Sequence, residues 1–338
     1  MRRDDTYFLS APAYVRAWAS CAGSKEGQGP LRHGFDHIGE DNRFEMPTWE
    51  QAESRMIEIA CRTALAKAGL KSEAVSAILG GDLLNQCIAT AYAARQLALP
   101  FLGLYGACST MAQGLLLGAV LVSSGFGNDI LATAGSHFCS AERQYRYPLE
   151  YGGQRTPTAQ WTATASGAVV LSTRPSRVAV RAVTAGRVFD PGVTDAANLG
   201  AAMAQSAYET LTAFFHDSGT GPEDYDLIAT GDLADIGEKV VRRLFEESGT
   251  RLGENYRDCG RALFDESQEV GAGGSGCGCS SAVLCADILP RLERGELKRV
   301  LFAGTGALFS PLSACQGESI PGICHLVLLE HEEPGRGL

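Results

Sequence analysis

Ala77-Ile78-Leu79-Gly80-Gly81-Asp82-Leu83 returns further along as Leu227-Ile228-Ala229-Thr230-Gly231-Asp232-Leu233, and in both places the aspartate stands thirteen residues after a glycine, Gly69 or Gly219. The echo continues downstream. Gly106-Ala107-Cys108-Ser109-Thr110 opens an apolar stretch that ends at Gly125 and leads to Ile130-Leu131-Ala132-Thr133-Ala134-Gly135. Gly276-Cys277-Gly278-Cys279-Ser280 opens one that ends at Gly295 and leads to Val300-Leu301-Phe302-Ala303-Gly304. A third echo pairs Ser166-Gly167-Ala168-Val169-Val170-Leu171 with the run from Pro321 to Leu328. Duplication of one unit is expected, with halves at 1–175 and 176–338.

Outward from each copy the same elements follow. Thr48 can cap a helix, Gln51 completes a capping box, and Trp49, Ala52, Met56, Ile59, Ala60, Thr63 and Ala64 recur at helical spacing up to Gly69, which can end the helix in a left-handed conformation. The second copy predicts a helix over 199–216 with Gly219 as terminator. Short buried strands are predicted at 75–79 and 226–229, helices at 90–97 and 239–246, and a strand at 100–105. Long apolar helices follow at 111–122 and 282–292, and strands at 129–133 and 299–303. These strands are continuously apolar rather than alternating, which requires cover on both faces. The fold class is therefore α/β, with helices and sheets in layers, two pseudo-equivalent halves packed together and the two central helices buried.

At 338 residues and 45% hydrophobic content the chain can bury a large core. A net charge of −10 without a basic block argues against a nucleic-acid partner, and an anionic ligand needs a local basic pocket instead. The residues after Met1-Arg2-Arg3-Asp4-Asp5 form too short an apolar run for a signal peptide, and no stretch approaches the roughly 20 apolar residues of a membrane span. A soluble or peripherally attached chain is expected. Eleven cysteines, an odd number lying largely in apolar segments, suit a reducing compartment and small core residues better than a disulfide framework.

One segment has no counterpart in the second half. The stretch from Ser136 to Arg155, within an inserted loop over 136–160, is long and polar, as functional or interface loops are. Arg143, Arg146 and Arg155 interleave there with Tyr145, Tyr147 and Tyr151. Guanidinium forks bind carboxylates and tyrosine faces stack on planar rings, so the segment suits a flat aromatic carboxylate; a dimer interface draws on the same residues. His137 and Ser136 emerge at the end of a strand, and His137 is either a base or a hydrogen-bonded loop histidine.

Cys108 stands after a strand at the first turn of a buried helix, where free amides and the helix dipole favour thiolate; the alternative is a small filler in a tight turn. Cys277 and Cys279 occupy the equivalent start in the second half, and a C-x-C pair without further ligands predicts no metal. The Gly271-to-Gly276 run has neither a Walker nor a dinucleotide spacing and reads as close backbone approach. Asp82 and Asp232 follow buried strands and can cap neighbouring helix starts, with a ligand role equally open for Asp82 beside Asn85 and Gln86.

The strings Gly81-Asp82-Leu83-Leu84-Asn85-Gln86, Tyr105-Gly106-Ala107-Cys108-Ser109-Thr110, Ala141-Glu142-Arg143-Gln144-Tyr145-Arg146-Tyr147-Pro148, Glu150-Tyr151-Gly152-Gly153-Gln154, Gly273-Gly274-Ser275-Gly276-Cys277-Gly278-Cys279-Ser280 and Thr305-Gly306-Ala307-Leu308-Phe309-Ser310-Pro311 resemble the stage V sporulation protein AD family of spore-forming bacteria. That family is a branch of the thiolase fold shared by thiolases and ketoacyl synthases. The resemblance implies two pseudo-duplicated halves in an αβαβα arrangement. It also implies a non-catalytic component that binds dipicolinic acid (pyridine-2,6-dicarboxylate), with or without calcium, for uptake into the developing spore and release in germination. Other membrane proteins of the stage V sporulation A group are the implied partners, with a peripheral place on the spore inner membrane, a homodimer and no cofactor.

The ligand-binding residues implied are Asp82, Asn85, Cys108, Ser136, His137, Glu142, Arg143, Arg146, Cys277 and Cys279. Ketoacyl synthases of this fold pair the cysteine with a histidine after the second-half strand and a histidine or asparagine at the second helix start. Here the cysteine position holds Cys108, while the partner positions read as Gly231 or Asp232 and Cys277. Loss of imidazole and amide predicts loss of condensation, since the enolate and thiolate lose their stabilising donors. The alternatives are a residual acyltransferase using Cys108, with His137 or His325 supplying imidazole, and a scaffold docked on membrane channel subunits.

Overall fold

A computed structural model of the chain describes residues 5–145 and 155–333. The first half comprises β1 (Thr6–Ala22), β2 (His37–Ile38), α1 (Trp49–Ala68), β3 (Ala77–Gly81), α2 (Ile88–Leu97), β4 (Phe101–Gly103), α3 (Thr110–Ser123), β5 (Asp129–Ser136), α4 (Phe138–Tyr145), β6 (Trp161–Thr162) and β7 (Ala165–Ser172). The second comprises β8 (Val178–Thr184), α5 (Leu199–Ser218), β9 (Leu227–Thr230), α6 (Ala234–Glu247), β10 (Tyr256–Asp258), α7 (Cys259–Ala262), β11 (Gly274–Ser275), α8 (Cys277–Val283), α9 (Leu289–Glu293), β12 (Arg299–Ala307), α10 (Pro311–Cys315) and β13 (Gly322–His331).

The two halves repeat one strand order. The sheet reads β10-β9-β12-β13-β8-β1-β7-β5-β3-β4, so β1-β7-β5-β3-β4 and β8-β13-β12-β9-β10 are the same arrangement joined where β1 meets β8. The strand directions match too: β7 and β13 run antiparallel to both neighbours, while β3 and β9 run parallel to both theirs.

Three cores give the layers. Met111, Leu115 and Ala119 of α3 pack with Cys279 and Val283 of α8 between Val169 and Leu171 of one half and Phe302 and Val327 of the other. Outside, Met56 and Ile57 of α1 and Leu97 of α2 cover Ile78, Leu131 and Val170, and Met203, Leu211 and Phe214 of α5 cover Ile228, Leu301 and Leu328. Strands covered on both faces are buried end to end, as in β3, β5 and β7.

Local signals explain the element boundaries. The Thr48 side chain accepts from the Gln51 amide at the start of α1, and Gly69 and Gly219 end α1 and α5 in the left-handed region. The helix expected over 282–292 is not continuous: α8 passes through a π-turn at Leu284–Ile288 before α9. Pro290 has no amide to give and its ring crowds the carbonyl four residues back, so the α-helical ladder cannot pass through it. The insertion is not without a counterpart either. α10 holds in the second half, after β12, the topological place that α4 holds after β5.

Candidate functional site

The halves meet around a cavity of about 580 Å³. The first half contributes Leu83, Asn85, Tyr105, Ala107, Cys108, Thr162 and, from α4, Ala141, Glu142, Gln144 and Tyr145. The second contributes Leu199 and Met203 of α5, Ser275, and the run from Ala307 to Leu312. α4 and α10 thus form facing walls, and the Tyr145 and Phe309 rings meet across them with centroids 5.6 Å apart. Three donors hold α4 and the loop after β3 together on one carbonyl, that of Leu83: Tyr145 Oη at 2.5 Å, Gln144 Nε2 at 2.8 Å and Tyr105 Oη at 3.4 Å.

Cys108 lies in a 3-10 turn, Ala107–Ser109, that leads into α3. Ala107 has φ +50°, a left-handed conformation that costs an L-residue about 1 kcal/mol. Its carbonyl is held by two donors, Thr110 Oγ1 at 2.7 Å and the Cys277 thiol at 2.9 Å. Cys277 therefore positions the turn that presents Cys108. A second element presses on the same turn, because a Cβ on Gly306 of β12 would lie 2.7 Å from the Gly106 carbonyl oxygen.

Asp232 stands close enough to the Cys108 thiol for its charge to act on it, with Ser275 between the two. The carboxylate also accepts from Ser275 Oγ at 2.9 Å, from the Gly276 amide at 3.0 Å and from Thr305 Oγ1 at 2.9 Å. Ser275 Oγ is 3.9 Å from the sulfur. Burial, with Asp232 and then Cys277 adding to it, pushes the Cys108 thiol well above its ordinary range. The expectation of a favoured thiolate is thus corrected: the helix-start position is real, but burial and the adjacent carboxylate outweigh it. Burial pushes Asp232 upward as well, against its hydrogen bonds.

Of the residues expected at the site, Asn85, Cys108 and Glu142 line the cavity. Asp82 is fully buried and caps α2, accepting from Thr90 N at 2.8 Å, Thr90 Oγ1 at 2.6 Å and Leu84 N at 2.9 Å. Asp232 plays the equivalent part for α8 through Gly276, so both aspartates cap as their frame predicts. Ser136 Oγ donates to the Ala163 carbonyl at 2.7 Å and accepts from the Gly278 amide at 3.0 Å, tying β5 to α8. His137 is buried against Trp49, its Nε2 on the Asn42 carbonyl at 2.7 Å and its Nδ1 accepting from the Cys139 amide at 3.1 Å. Burial lowers its proton affinity. Both ring nitrogens are engaged away from the cavity.

Arg143 extends outward to Glu50 at 2.5 Å, and Cys279 is buried in the central core. Arg146, with Tyr147 and Tyr151, lies outside the described residues. His325 bonds the Gly186 amide from β13, and burial lowers it to about 4. Among the described residues no histidine lines the cavity. The Gly271-to-Gly276 run makes the close approach expected of it: β11 pairs with β6, Ser275 opposite Thr162.

Sequence reasoning missed Ser275, putting Gly231 or Asp232 and Cys277 at the partner positions of Cys108, and missed the wall from Leu308 to Leu312. The signal for Ser275 was its place two residues before the helix start. The wall's signal was the string Thr305 to Pro311, which carries the family resemblance but was given no place in the site, because Leu, Phe and Pro in a short connection read as loop packing.

A protein-family model described as stage V sporulation protein AD matches residues 3–330. The stage V sporulation protein AD of Bacillus subtilis (strain 168) is 42% identical over 325 residues, covering 96% of each chain. Among solved structures, 3-oxoacyl-[acyl-carrier-protein] synthase III from Aquifex aeolicus VF5 aligns with a TM-score of 0.55 at 14% identity, over 94% of this chain and 100% of that one. Cerulenin-bound OleA from Xanthomonas campestris aligns with a TM-score of 0.60 at 15% identity, over 98% and 99%. At such identities the likeness concerns the fold, and the fold is thiolase-like.

Proposed function

This chain belongs to the stage V sporulation protein AD family, and from that premise we propose that it is a non-catalytic receptor for dipicolinic acid, taken into the cavity between the halves. The observation that carries this reading is the buried Asp232 carboxylate set behind Ser275 beside the Cys108 thiol. Where the synthases it resembles hold imidazole and amide donors beside the cysteine, this site offers a buried carboxylate and the Ser275 hydroxyl. A thiol kept protonated is a poor nucleophile, and a carboxylate beside it gives no stabilisation to an enolate. The cavity itself remains, with polar groups from Asn85, Gln144 and Tyr105 and ring faces from Tyr105, Tyr145 and Phe309. A flat heteroaromatic acid matches that mixture of stacking surface and hydrogen-bonding edge.

In this reading the protein acts in movement of dipicolinate, with or without calcium, into the spore and out of it. It does so as a homodimer, peripherally on the inner membrane with the other stage V sporulation A proteins. Among the described residues no helix is long and apolar enough to cross a membrane, which fits attachment through partners. Isothermal titration with dipicolinate, with and without calcium, beside acetyl-CoA and malonyl-CoA, tests the reading. Saturable dipicolinate binding with no thioester response is expected. Thioester binding with a mass increase on Cys108 would replace the receptor by an acyltransferase.

A further inference from the structure

A dianionic ligand poses an electrostatic problem in this cavity. Among the described residues no lysine, arginine or histidine lines it, while the Glu142 carboxylate stands in its wall and Asp232 lies behind Ser275. A cation bonded to that wall is Arg155, whose Nη1 meets Glu142 Oε1 at 2.9 Å with both side chains largely shielded from solvent. Arg155 sits beside the stacked rings of Phe138 and Trp161, its Cζ 5.6 Å and 5.4 Å from their centroids, and its Nη2 donates to the Gln160 carbonyl. Its Nε–H is buried without a hydrogen-bond partner among the described residues. A guanidinium fork in low dielectric binds a carboxylate strongly, and an unused buried donor makes a second carboxylate oxygen welcome.

We propose that Arg155 recognises a carboxylate of the cavity's ligand by ion-pair exchange, and that Glu142 is the anion that keeps the guanidinium oriented until the ligand arrives; this rests on reading the cavity as a dipicolinate site. Exchange leaves Arg155 paired throughout. It moves Glu142 aside from the incoming charge, and the rings of Phe138 and Trp161 hold the guanidinium plane in place. Arg143, paired outward with Glu50, has no part in this.

The two members of the pair should respond with opposite signs. In calcium-free titrations with dipicolinate, Arg155→Met weakens binding about 30-fold or more and Arg155→Lys weakens it less, as loss of a charged hydrogen-bonded partner predicts. Glu142→Gln tightens binding, because it removes the competitor. Were the pair only a structural tie, both substitutions would weaken binding, and that result overturns the inference. Unchanged affinity in Arg155→Met while the wild type binds overturns it too, without touching the receptor reading. No binding by the wild type removes that reading and this inference together. Should Arg155→Met not fold, Glu142→Gln decides: weaker binding than wild type refutes ion-pair exchange.

Discussion

Cys108 and Asp232 come from opposite halves of the molecule and face each other across Ser275, whose Oγ donates to the carboxylate at 2.9 Å and lies 3.9 Å from the sulfur. Each is buried, and among the described residues no lysine, arginine or histidine lines the cavity that Cys108 faces. The thiol stays protonated because a thiolate would stand in a dry site against an anion.

Thiol chemistry follows directly. With iodoacetamide at pH 8, exposed Cys315 and half-buried Cys139 label first, and Cys108 stays unlabelled in the folded protein. Asp232→Asn removes the negative neighbour and raises the Cys108 labelling rate about tenfold or more, since each tenfold change in thiolate fraction carries through to the rate. Intact-mass and peptide mapping over time would read both. Fast labelling of wild-type Cys108 would show that the thiol is activated after all.

Asp82 presents a different expectation, because its hydrogen bonds hold the start of α2 and it does not line the cavity. Asp82→Ala leaves the Thr90 amide and hydroxyl and the Leu84 amide without their buried acceptor, at a cost of about 2–4 kcal/mol in urea unfolding. Dipicolinate affinity of the fraction that folds stays at the wild-type value. A drop in affinity without a loss of stability would instead mark Asp82 as a ligand contact.

The parts of this fold that the sequence announces are those written in local chemistry. Thr48 with Gln51, Gly69 and Gly219 mark helix ends by side-chain hydrogen bonding and by tolerance of positive φ, and the twin Gly-Asp-Leu frames mark the duplicated strands. Resemblance to ketoacyl synthases, not the frame, puts Gly231 or Asp232 beside Cys108 and leaves the choice between them open. Contacts set by the packing of the halves could not be anticipated. Arg143 and Arg155 look alike in sequence, yet one pairs outward with Glu50 and the other with Glu142 of the cavity wall. His137 reads as a strand-end histidine at the mouth, and only its burial against Trp49 and Asn42 reveals that its nitrogens are taken.

Glu26 is one of the buried carboxyls that make the fold's stability depend on pH. It is wholly buried, with one oxygen accepting from the Thr164 amide and the other unpartnered, and burial raises it from 4.5 to about 7. Between those values the native state keeps a proton that the unfolded chain has released. The unfolded state thus binds fewer protons, and stability from this group falls as pH rises from 4.5 to 7 and stays lost above. Glu26→Gln, which keeps the acceptor for Thr164, should gain on wild type between pH 5 and pH 8 by on the order of 2 kcal/mol in denaturant unfolding. Parallel pH profiles for the two proteins would refute this assignment.

Gly278 sets how closely the two halves can pack, and with that the Cys108–Asp232 geometry. It lies in α8 against β7, where an added Cβ would stand 2.1 Å from the Ala165 carbonyl oxygen and 2.8 Å from Ser136 Oγ. The carbonyl belongs to a central strand and cannot swing away, and Ser136 is tied at both ends, to Ala163 and to the Gly278 amide itself. Gly278→Ala must therefore push α8 outward, costing about 3 kcal/mol, and it carries Ser275 and the capped Gly276 away from Cys108. Gly69→Ala is the control: its site is open, and only the positive φ of 63° opposes a side chain, a penalty of about 1 kcal/mol. Thermal and urea unfolding of the two variants should rank Gly278→Ala well below Gly69→Ala. The reverse order would mean that the α8–β7 contact yields easily and that the halves are not fixed by it.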